Sequence, residues 1–319
     1  MRRCSELPRA LSDYDAVDWL KLRPPLDTMR AWRIARATDA FALRPPRAGD
    51  LAALQRAATR RHTMVTIAFD DPEILGRQIR SVRAFVPGPI HIVADNSGDP
   101  VKAAEIERLC RVESVPYLRL PHNPWGRECP SRSHGAALNW VWRRLIKPAR
   151  PPAFGFLDHD IAPLAPDDPF AALERQPVAG DKRWTNGRWF LWAGYCFFRI
   201  EVFDAIEADF GQDWPIWLDT GGGNWRALYS RLDPDEIVQR PIENIGVFSA
   251  GPAPDCFFER RGAWLHEQGL GAGRPESRAA KRARVLALID DALAAAAAVR
   301  ARPALEPEPS QPALEAAAP

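Results

Sequence analysis

The sequence predicts an α/β fold, in which a mixed and mostly parallel Rossmann-like sheet is flanked by helices. Between residues 61 and 160, apolar segments of strand length alternate with amphipathic segments of helix length, and this β-α-β-α order is typical of parallel sheets. With 319 residues, 46% of them hydrophobic, the chain is large enough to build a sizeable core. Ligands of such folds bind at the carboxyl ends of the strands, so functional residues are expected there.

Each element of the predicted core follows from its own pattern. Apolar segments bounded by turn residues predict the strands Met64–Phe69, Ile90–Asp95, Val115–Leu120 and Ala153–Leu157. Apolar residues at helical spacing predict intervening helices over 71–86, Val101–Cys110 and Ser133–Ile146. Further along, the aromatic segment Arg188–Ile200 predicts one or two strands, and residues 201–210 predict a helix.

Two helical extensions flank the predicted domain. Residues 1–60, rich in Arg, Ala, Leu and Pro, are expected to form a helical N-terminal extension, and residues 61–274 the α/β domain. Residues 275–300 predict a C-terminal helix. Residues 301–319 are rich in proline and alanine, and we expect this tail to be disordered.

The composition argues against several classes of function. The formal net charge of +2 produces no field that would attract nucleic acid or an anionic membrane. None of the five cysteines belongs to a C-x-x-C pair of a zinc or redox site. The chain contains neither a signal peptide nor an uncharged apolar stretch of about 18 residues, so we expect no membrane span and a cytoplasmic location.

Two aspartates one residue apart end the fourth predicted strand. The D-x-D pattern occurs three times, but only Asp158-His159-Asp160 terminates an apolar strand, where residues i and i+2 point to the same side. Carboxylates at this spacing suit Mg²⁺ or Mn²⁺ that also binds substrate phosphates. The alternative is a strand-end turn that caps the next segment.

Six segments between Arg61 and Gly271 carry the strongest signal: MVTIAF, IHIVADNSGD, HNPWGRECPSRSHGAALNWVW, FLDHDIAP, WAGYCFFRIEVFD and WLHEQGLG. In this order they resemble the motifs of GT-A glycosyltransferases, particularly the family 2-like enzymes. The first two are similar to the first strand and the acidic second strand of that fold, and the third to the helix bordering the donor site. The others are similar to the metal-binding D-x-D, the acceptor-side strand and a C-terminal histidine–glycine motif.

The resemblance implies a metal-dependent, hexosyltransferase-like enzyme that moves a sugar, with inversion, from a nucleotide-diphosphate sugar to an acceptor hydroxyl. It places Mn²⁺ or Mg²⁺ on Asp158, Asp160 and His266, where the ion would stabilise the charge of the leaving diphosphate. It assigns nucleotide-sugar binding to Asp95, Asn96, Asn123, Asn139 and Asp158. The acceptor would be a glycan, a lipid-linked molecule or a protein. The residues alone also fit an Asx-turn at Asp95 and a structural role for His266.

Asp219 is the candidate catalytic base. Inverting transfer needs a group that deprotonates the acceptor hydroxyl. The family usually places a carboxylate there, often in a Glu-Asp pair, which this chain lacks. Asp219, in IWLDTGGGNW, follows an apolar segment and precedes glycines that would let a substrate approach closely. The alternative is an aspartate that starts a turn.

Two further groups of side chains are candidates for substrate contacts. Tryptophan faces stack on sugars, and an acceptor groove is expected to use one or two of Trp189, Trp192, Trp217 and Trp225. Three residues ahead of the donor-side helix would contact phosphate or form a solvated face: Arg127, Arg132 and His134.

Two other functions remain open. A non-catalytic carbohydrate- or partner-binding protein of the same fold would explain the missing Glu-Asp pair. A sugar nucleotidyltransferase would share the sheet and the acidic metal site. However, its phosphate loop after the first strand should be rich in glycine and arginine, whereas AFDDPEIL in this chain is acidic.

Overall fold

The computed structural model describes residues 14–301, except residues 127, 214–215, 249–252 and 270–273. Within the described residues, the strands form two sheets. The strand bounds are β1 Thr63–Ala68, β2 Ile90–Asp95, β3 Tyr117–Arg119, β4 Ala153–Asp158, β5 Ile161–Pro163, β6 Val178–Thr185, β7 Arg188–Arg199, β8 Ile242–Val247, β9 Cys256–Arg261 and β10 Trp264–His266.

Helices surround the larger of the two sheets. Their bounds are α1 Ala16–Leu20, α2 Arg23–Leu43, α3 Leu51–Ala58, α4 Pro72–Phe85, α5 Pro100–Val112, α6 Pro130–Val141, α7 Lys147–Ala149 and α8 Pro275–Ala301. A π-helical segment, Trp142–Ile146, joins α6 to α7. The helices α4 and α5 begin in the same way, since each has proline at the helix start and an aspartate, Asp71 or Asp99, that caps the free backbone N–H groups.

The larger sheet has the strand order β3-β2-β1-β4-β7-β6. β1 runs parallel to β2 and β4, and β2 runs parallel to β3, whereas β7 is antiparallel to both β4 and β6. All six residues of β1 are buried, as expected for a central strand of a parallel sheet. The predicted mixed, mostly parallel and helix-flanked sheet is therefore confirmed.

The core lies on both faces of the larger sheet because alternate residues of β1 point in opposite directions. Val65 and Ile67 pack in the cluster that contains the apolar face of α6. Met64 packs with residues of α4 on the opposite face, and Ala68 packs there with α4 and α5. The carboxyl ends of β1, β2 and β4 consequently meet at one edge.

The smaller sheet joins the C-terminal part of the chain to that edge. Its order is β5-β10-β9-β8, and all its pairs are antiparallel. Two residues separate the end of β4 from the start of β5, and β5 pairs with β10, so that His266 lies opposite Ile161. The smaller sheet therefore starts from the turn that contains Asp160.

Residues 201–210 do not form the predicted helix. A 3₁₀ turn, Ile200–Phe203, is followed by irregular chain. Ala208 and Phe210 are both buried, although side chains two positions apart lie on different faces of an α-helix. The irregular path allows both residues to enter the core.

The borders of other elements differ slightly from the prediction. The third strand is shorter, Tyr117–Arg119, because the chain before it is a turn after α5. The helix expected over Ser133–Ile146 begins earlier, at Pro130, and its last turns have π geometry. β6, which pairs with β7 as a hairpin, was not predicted from the sequence.

The division into extensions, domain and tail stays a prediction. The described part of the N-terminal extension contains α1, α2 and α3, and the C-terminal helix is α8. Residues 1–13 and 302–319, which include the tail expected to be disordered, lie outside the described residues. In the part of the chain that the structure describes, no helix is long and apolar enough to cross a membrane.

Candidate functional site

Three side chains that can bind a metal meet beside the carboxyl end of β4. Asp158 is the last residue of β4, Asp160 lies in the turn that follows, and His266 ends β10. One ligand atom from each residue lies within 4.8 Å of the other two. The pairing of β10 with β5 thus joins the D-x-D segment to a histidine far away in the sequence.

Glu259 orients the imidazole of His266. Nδ1 of His266 lies 3.0 Å from Oε2 of Glu259. Burial acts to raise the pKa of Glu259, but its hydrogen bond with His266 and the charges of Arg183 and Arg261 lower this pKa to about 2. Because an ionised carboxylate only accepts hydrogen bonds, Nδ1 carries the proton, and Nε2 of the neutral ring keeps a lone pair. Nε2 lies 3.7 Å from Oδ1 of Asp160.

Charged and aromatic side chains surround His266 and its partner Glu259. Arg261 is fully buried and forms an ion pair with Glu259. Arg183 lies 3.1 Å from the same carboxylate. The ring of Trp192 packs against His266 with centroids 4.8 Å apart, and both guanidinium groups lie over the Trp192 ring. The orientation of His266 is therefore fixed from two directions.

The donor set fits a divalent cation. Two carboxylates and one imidazole nitrogen are ligands that suit Mn²⁺, and carboxylates suit Mg²⁺. Ligand atoms about 2.1 Å from an octahedral ion lie about 3 to 4.2 Å from one another, so the three groups need only small side-chain rotations to share an ion. A carboxylate hydrogen bonded to the second nitrogen of a ligating histidine is typical of metal centres, and Glu259 occupies that position.

Gln78, on α4, anchors the turn between the two aspartates. Its Nε2 donates to the carbonyl oxygens of Asp158 and Ile161, both at 2.6 Å. The side chain is fully buried, and its Oε1 accepts from the hydroxyl of Thr66 at 2.9 Å. Both N–H groups and the oxygen of the amide are thus hydrogen bonded, so Gln78 holds the backbone of the turn from inside the core. Nothing in the sequence pattern indicates this role, since Gln78 lies within an ordinary helical pattern.

His91 extends this network on β2. Nε2 of His91 lies 2.9 Å from the Thr66 hydroxyl. Because Thr66 donates its proton to Gln78, it must accept from His91, and Nε2 therefore carries the imidazole proton. Burial, assisted by the charge of Arg83, lowers the pKa of His91 to about 4, so the ring is neutral at pH 7.

Gly194, on β7, leaves the space that the carboxylate of Asp158 occupies. A Cβ atom at this position would lie 2.7 Å from Oδ2 of Asp158 and 2.2 Å from the Trp192 ring. These separations are far below van der Waals contact, so no larger residue fits here without moving Asp158. This glycine was also missed by sequence reasoning.

His134, on α6, lies on another side of Asp158. Its Nε2 is 3.0 Å from Oδ1 of Asp158. Burial acts to lower the pKa of His134, but the charges of Asp158, Asp219 and Asp160 raise it overall. Burial acts to raise the pKa of Asp158, but this pKa is lowered overall, mainly by His134. The structure thus brings His134 to the metal-ligand cluster, not to a separate phosphate site.

Asp95 lies at the predicted strand end, but its carboxylate is buried and fully used. Oδ1 accepts from the backbone N–H of Ser97 at 2.9 Å, which is the Asx-turn. Oδ2 accepts from the Tyr117 hydroxyl at 2.8 Å and lies 2.9 Å from the guanidinium of Arg119. Asp95 therefore organises the end of β2, and its predicted role in nucleotide binding stays a prediction.

Asn96 and Asn123 belong to one buried hydrogen-bond network. Nδ2 of Asn123 donates to Oδ1 of Asn96 at 2.9 Å, and Nδ2 of Asn96 donates to the Ser133 hydroxyl at 3.0 Å. Oδ1 of Asn123 accepts from the backbone of Trp125. The network joins the end of β2 to the start of α6. These two amides therefore hold the backbone at this edge of the sheet.

Asn139 supports the irregular segment that follows β7. Its Oδ1 accepts from the backbone of Phe210 at 2.8 Å, and its Nδ2 donates to Asp209 at 2.9 Å. The side chain is buried and has both polar groups engaged. The structure therefore shows a packing role for Asn139 away from the metal-ligand cluster.

Asp219 is exposed, and its charge acts on His134. Its Oδ1 accepts from Gln212 at 3.2 Å and from the Thr220 hydroxyl at 3.3 Å. The glycines after it do not open space for a substrate, contrary to expectation. At Gly221 a Cβ atom would lie 2.3 Å from the carbonyl oxygen of Leu191, so the loop packs tightly on β7. The side chain itself lines a groove beside α2.

The candidate tryptophans have different environments. Trp189 is buried in the core, and Trp225 packs at its edge. Trp192 packs on His266, and Trp217 is 69% exposed and lines the groove beside α2. Arg132 also lines that groove, whereas Arg127 lies outside the described residues.

Comparisons with known proteins give little help. No family model matches the sequence, and no curated protein matches it either. The solved structure of S. aureus TarS is similar to this chain with a TM-score of 0.30 and 14% identity, over 44% of this chain and 29% of TarS. A solved mycobacterial protein has a TM-score of 0.34 and 13% identity, over 69% of this chain and 89% of that protein. The fold and the site define a mixed α/β protein with a candidate metal centre.

Replacing Gln78 by glutamate should loosen the turn that holds the two aspartates. Gln78→Glu keeps the shape of the side chain, but it loses both donors and directs a carboxylate at two carbonyl oxygens. We expect the free energy of unfolding to fall by about 3 kcal/mol, measured by urea denaturation with tryptophan fluorescence. Gln55→Glu is a matched control because Gln55 donates one hydrogen bond, to the Arg144 carbonyl, at a half-buried position. An equal loss in both variants would contradict the anchoring role.

The neutral imidazole of His91 should make stability depend on pH. The unfolded chain binds a proton on His91 below about pH 6.5, whereas the folded chain binds it only near pH 4. Stability is therefore lost as the pH falls from 6.5 to 4, by up to about 3 kcal/mol. His91→Gln keeps a donor for Thr66 without the titration. The unfolding free energy of the wild type relative to this variant should decrease over that pH range, and a constant difference would contradict the assignment.

Proposed function

We propose that this protein is a metal-dependent glycosyltransferase of the GT-A fold, which moves a sugar from a nucleotide-diphosphate sugar to an acceptor hydroxyl with inversion. The observation that carries the proposal is the cluster of Asp158, Asp160 and His266 at the carboxyl edge of the mostly parallel sheet, with Glu259 behind the histidine. Such an edge is where α/β proteins bind their ligands.

Asp158, Asp160 and His266 are the proposed ligands of Mn²⁺ or Mg²⁺. Asp160 is buried, and it lies between the histidine and the turn that Gln78 holds. The imidazole ligand favours Mn²⁺, since Mg²⁺ prefers oxygen ligands. When bound, the ion would neutralise the charge that develops on the leaving diphosphate. Asp158 also contacts His134, so its carboxylate would interact both with the metal ion and with a histidine that can be protonated.

The proposed donor site lies between the ends of β1, β2 and β4. Asp95, Asn96 and Asn123 were predicted to bind the nucleotide, and their burial favours a positioning role in which they hold the backbone at this edge. Ser97 follows β2, and its Oγ accepts a hydrogen bond from the backbone N–H of Asp70, which lies just after β1, at 2.9 Å. The two strand ends are thereby tied together.

Asp219 is the proposed base for the acceptor hydroxyl. It is exposed, so an acceptor can reach it, and its charge contributes to the raised pKa of His134. His134 in turn contacts Asp158. His134 thus interacts electrostatically both with the proposed base and with the proposed metal ligands.

Mn²⁺ should stabilise the wild-type protein through the three ligands. At 100 times the dissociation constant, an ion that binds only the folded state adds about 2.7 kcal/mol, which corresponds to a rise of several degrees in the melting temperature. Asp160→Ala and His266→Ala should each abolish this rise. Asp235→Ala is the matched control because Asp235 belongs to an exposed D-x-D segment outside the cluster. An unchanged rise in Asp160→Ala would refute the metal site.

The same assay identifies the donor. UDP, GDP, dTDP and CDP sugars are added with and without Mn²⁺, and one of them should raise the melting temperature further only when the ion is present. Stabilisation by none of these compounds would reject the proposed donor site. Binding of a nucleotide sugar without transfer of its sugar would instead support the alternative hypothesis of a non-catalytic binding protein.

Asp219→Asn should separate catalysis from binding. With the donor identified by the thermal assay, we expect kcat for sugar transfer to fall by about 10² to 10⁴, because a general base contributes rate enhancements of this size. The melting-temperature rises caused by Mn²⁺ and by the donor should stay at their wild-type values. Asp233→Asn is the control, since Asp233 is exposed and lies in another loop. An undiminished kcat would reject Asp219 as the base.

A further inference from the structure

A groove of about 1090 Å³ runs between α2 and the loops that carry Asp219 and Trp125. We name it the α2 groove. Residues of α2 line one side, and the other side is lined by Trp125, Arg132, Gln212, Trp217, Leu218 and Asp219. The volume is that of a ligand site.

The α2 side of the groove is one face of the helix. Arg23, Asp27, Arg30 and Ile34 follow one another at spacings of three or four residues, which places them in one row along the helix. Arg33 lies beside Arg30 on the same face. The helix therefore turns a row of guanidinium groups towards the loop that bears Asp219.

Three arginines of the groove have no anionic partner among the described residues. Arg23 is neutralised by Asp18 at 2.7 Å, but no ion pair within that part of the chain involves Arg30, Arg33 or Arg132. The guanidinium of Arg132 lies over the ring of Trp125, 4.9 Å from its centroid. Guanidinium groups bind phosphate through paired hydrogen bonds, and phosphate offers three terminal oxygens.

Apolar side chains lie beside these charges. Leu26, Met29 and Trp217 line the groove, and between 56% and 69% of each is exposed. Trp217 also has a φ of +60°, a conformation that is costly for a bulky side chain. Leu218, the next residue, forms a hydrogen-bonded bridge with Asp213. Trp217 is thus both strained and exposed, which indicates a role in binding rather than in packing.

We propose that the α2 groove binds the acceptor and that this acceptor is an amphiphilic phosphate, a phosphate group attached to a hydrocarbon chain. The phosphate would pair with Arg30, Arg33 and Arg132, and the hydrocarbon would lie on Leu26, Met29 and Trp217. The acceptor would also carry a hydroxyl, placed beside Asp219 at the same groove. Its oxygen would form the new bond to the sugar as the bond from the sugar to the nucleoside diphosphate breaks, Asp219 would take the hydroxyl proton, and the nucleoside diphosphate would leave. The acceptor role rests on the proposed glycosyl transfer, whereas the binding of amphiphilic phosphate rests on the groove alone.

Titration calorimetry with three probes tests the groove in the absence of metal and nucleotide. Octyl phosphate carries both features, octyl glucoside carries the same chain without charge, and inorganic phosphate carries the charge alone. Octyl phosphate should bind at least tenfold more tightly than either of the others. Equal affinity for octyl glucoside or for inorganic phosphate, or no binding of octyl phosphate, would overturn the proposal.

Substitutions in the α2 groove test whether octyl phosphate binds there. The double variant Arg30→Ala/Arg33→Ala should weaken octyl phosphate binding at least tenfold, and Trp217→Ala should weaken it without changing the affinity for inorganic phosphate. Arg36→Ala is the matched control because Arg36 lies on α2 outside the groove, over the ring of Trp32. All the substituted residues are exposed, and circular dichroism checks that the variants fold. An equal loss in Arg36→Ala would overturn the assignment to the groove.

The two proposals fail in different ways. Asp160→Ala should retain full affinity for octyl phosphate, and Arg30→Ala/Arg33→Ala should retain the stabilisation by Mn²⁺. If Mn²⁺ and nucleotide sugars do not bind, the glycosyltransferase proposal fails while the groove keeps its ligand. If octyl phosphate does not bind, the metal centre is unaffected, and the amphiphilic acceptor is rejected.

Discussion

The turn between β4 and β5 determines where every part of the candidate site lies, and the amide of Gln78 holds that turn. Two carbonyl oxygens, those of Asp158 and Ile161, accept from one buried nitrogen. Ile161 begins β5, β5 pairs with β10, and β10 ends at His266. A single amide in the core therefore sets the position of both carboxylates relative to the imidazole. It acts from α4, an element that supplies no ligand.

The charges around the cluster make the histidine suited to binding a metal. The ionised carboxylate of Glu259 fixes the proton of His266 on Nδ1, and buried Arg261 compensates that carboxylate. Without the arginine, a buried glutamate would tend to protonate, and the tautomer of the histidine would no longer be determined. Nε2 then lies 3.7 Å from Oδ1 of Asp160, so that two carboxylates and one imidazole nitrogen are placed together for a divalent ion.

The sequence was sufficient for the parallel strands of the larger sheet and for the position of Asp158 and Asp160 at a strand end, because apolar strands and a D-x-D that terminates one have distinct patterns. His266 was proposed as a ligand only from the family resemblance, and the structure brings its ring close to the two aspartates. It was not sufficient for Gln78, Glu259 or Gly194, whose roles arise from contacts between distant elements. Asp95 shows a different problem, in which one sequence pattern fits two roles. An aspartate in a turn at a strand end fits nucleotide binding and an Asx-turn equally, and only the contacts with Tyr117 and Arg119 reveal that the carboxylate is buried and paired. The helix α2 was predicted, but its placement beside Asp219 depends on tertiary packing.

His134 interacts with carboxylates of the metal-ligand cluster and of the α2 groove. Burial acts to lower its pKa, but Asp158, Asp219 and Asp160 raise the pKa overall. Nε2 of His134 lies 3.0 Å from Oδ1 of Asp158, whereas Asp219 lines the α2 groove. A cation bound by Asp158 and Asp160 would weaken the attraction that favours a proton on His134. Charge at the metal-ligand cluster would therefore act on an imidazole that also interacts with Asp219.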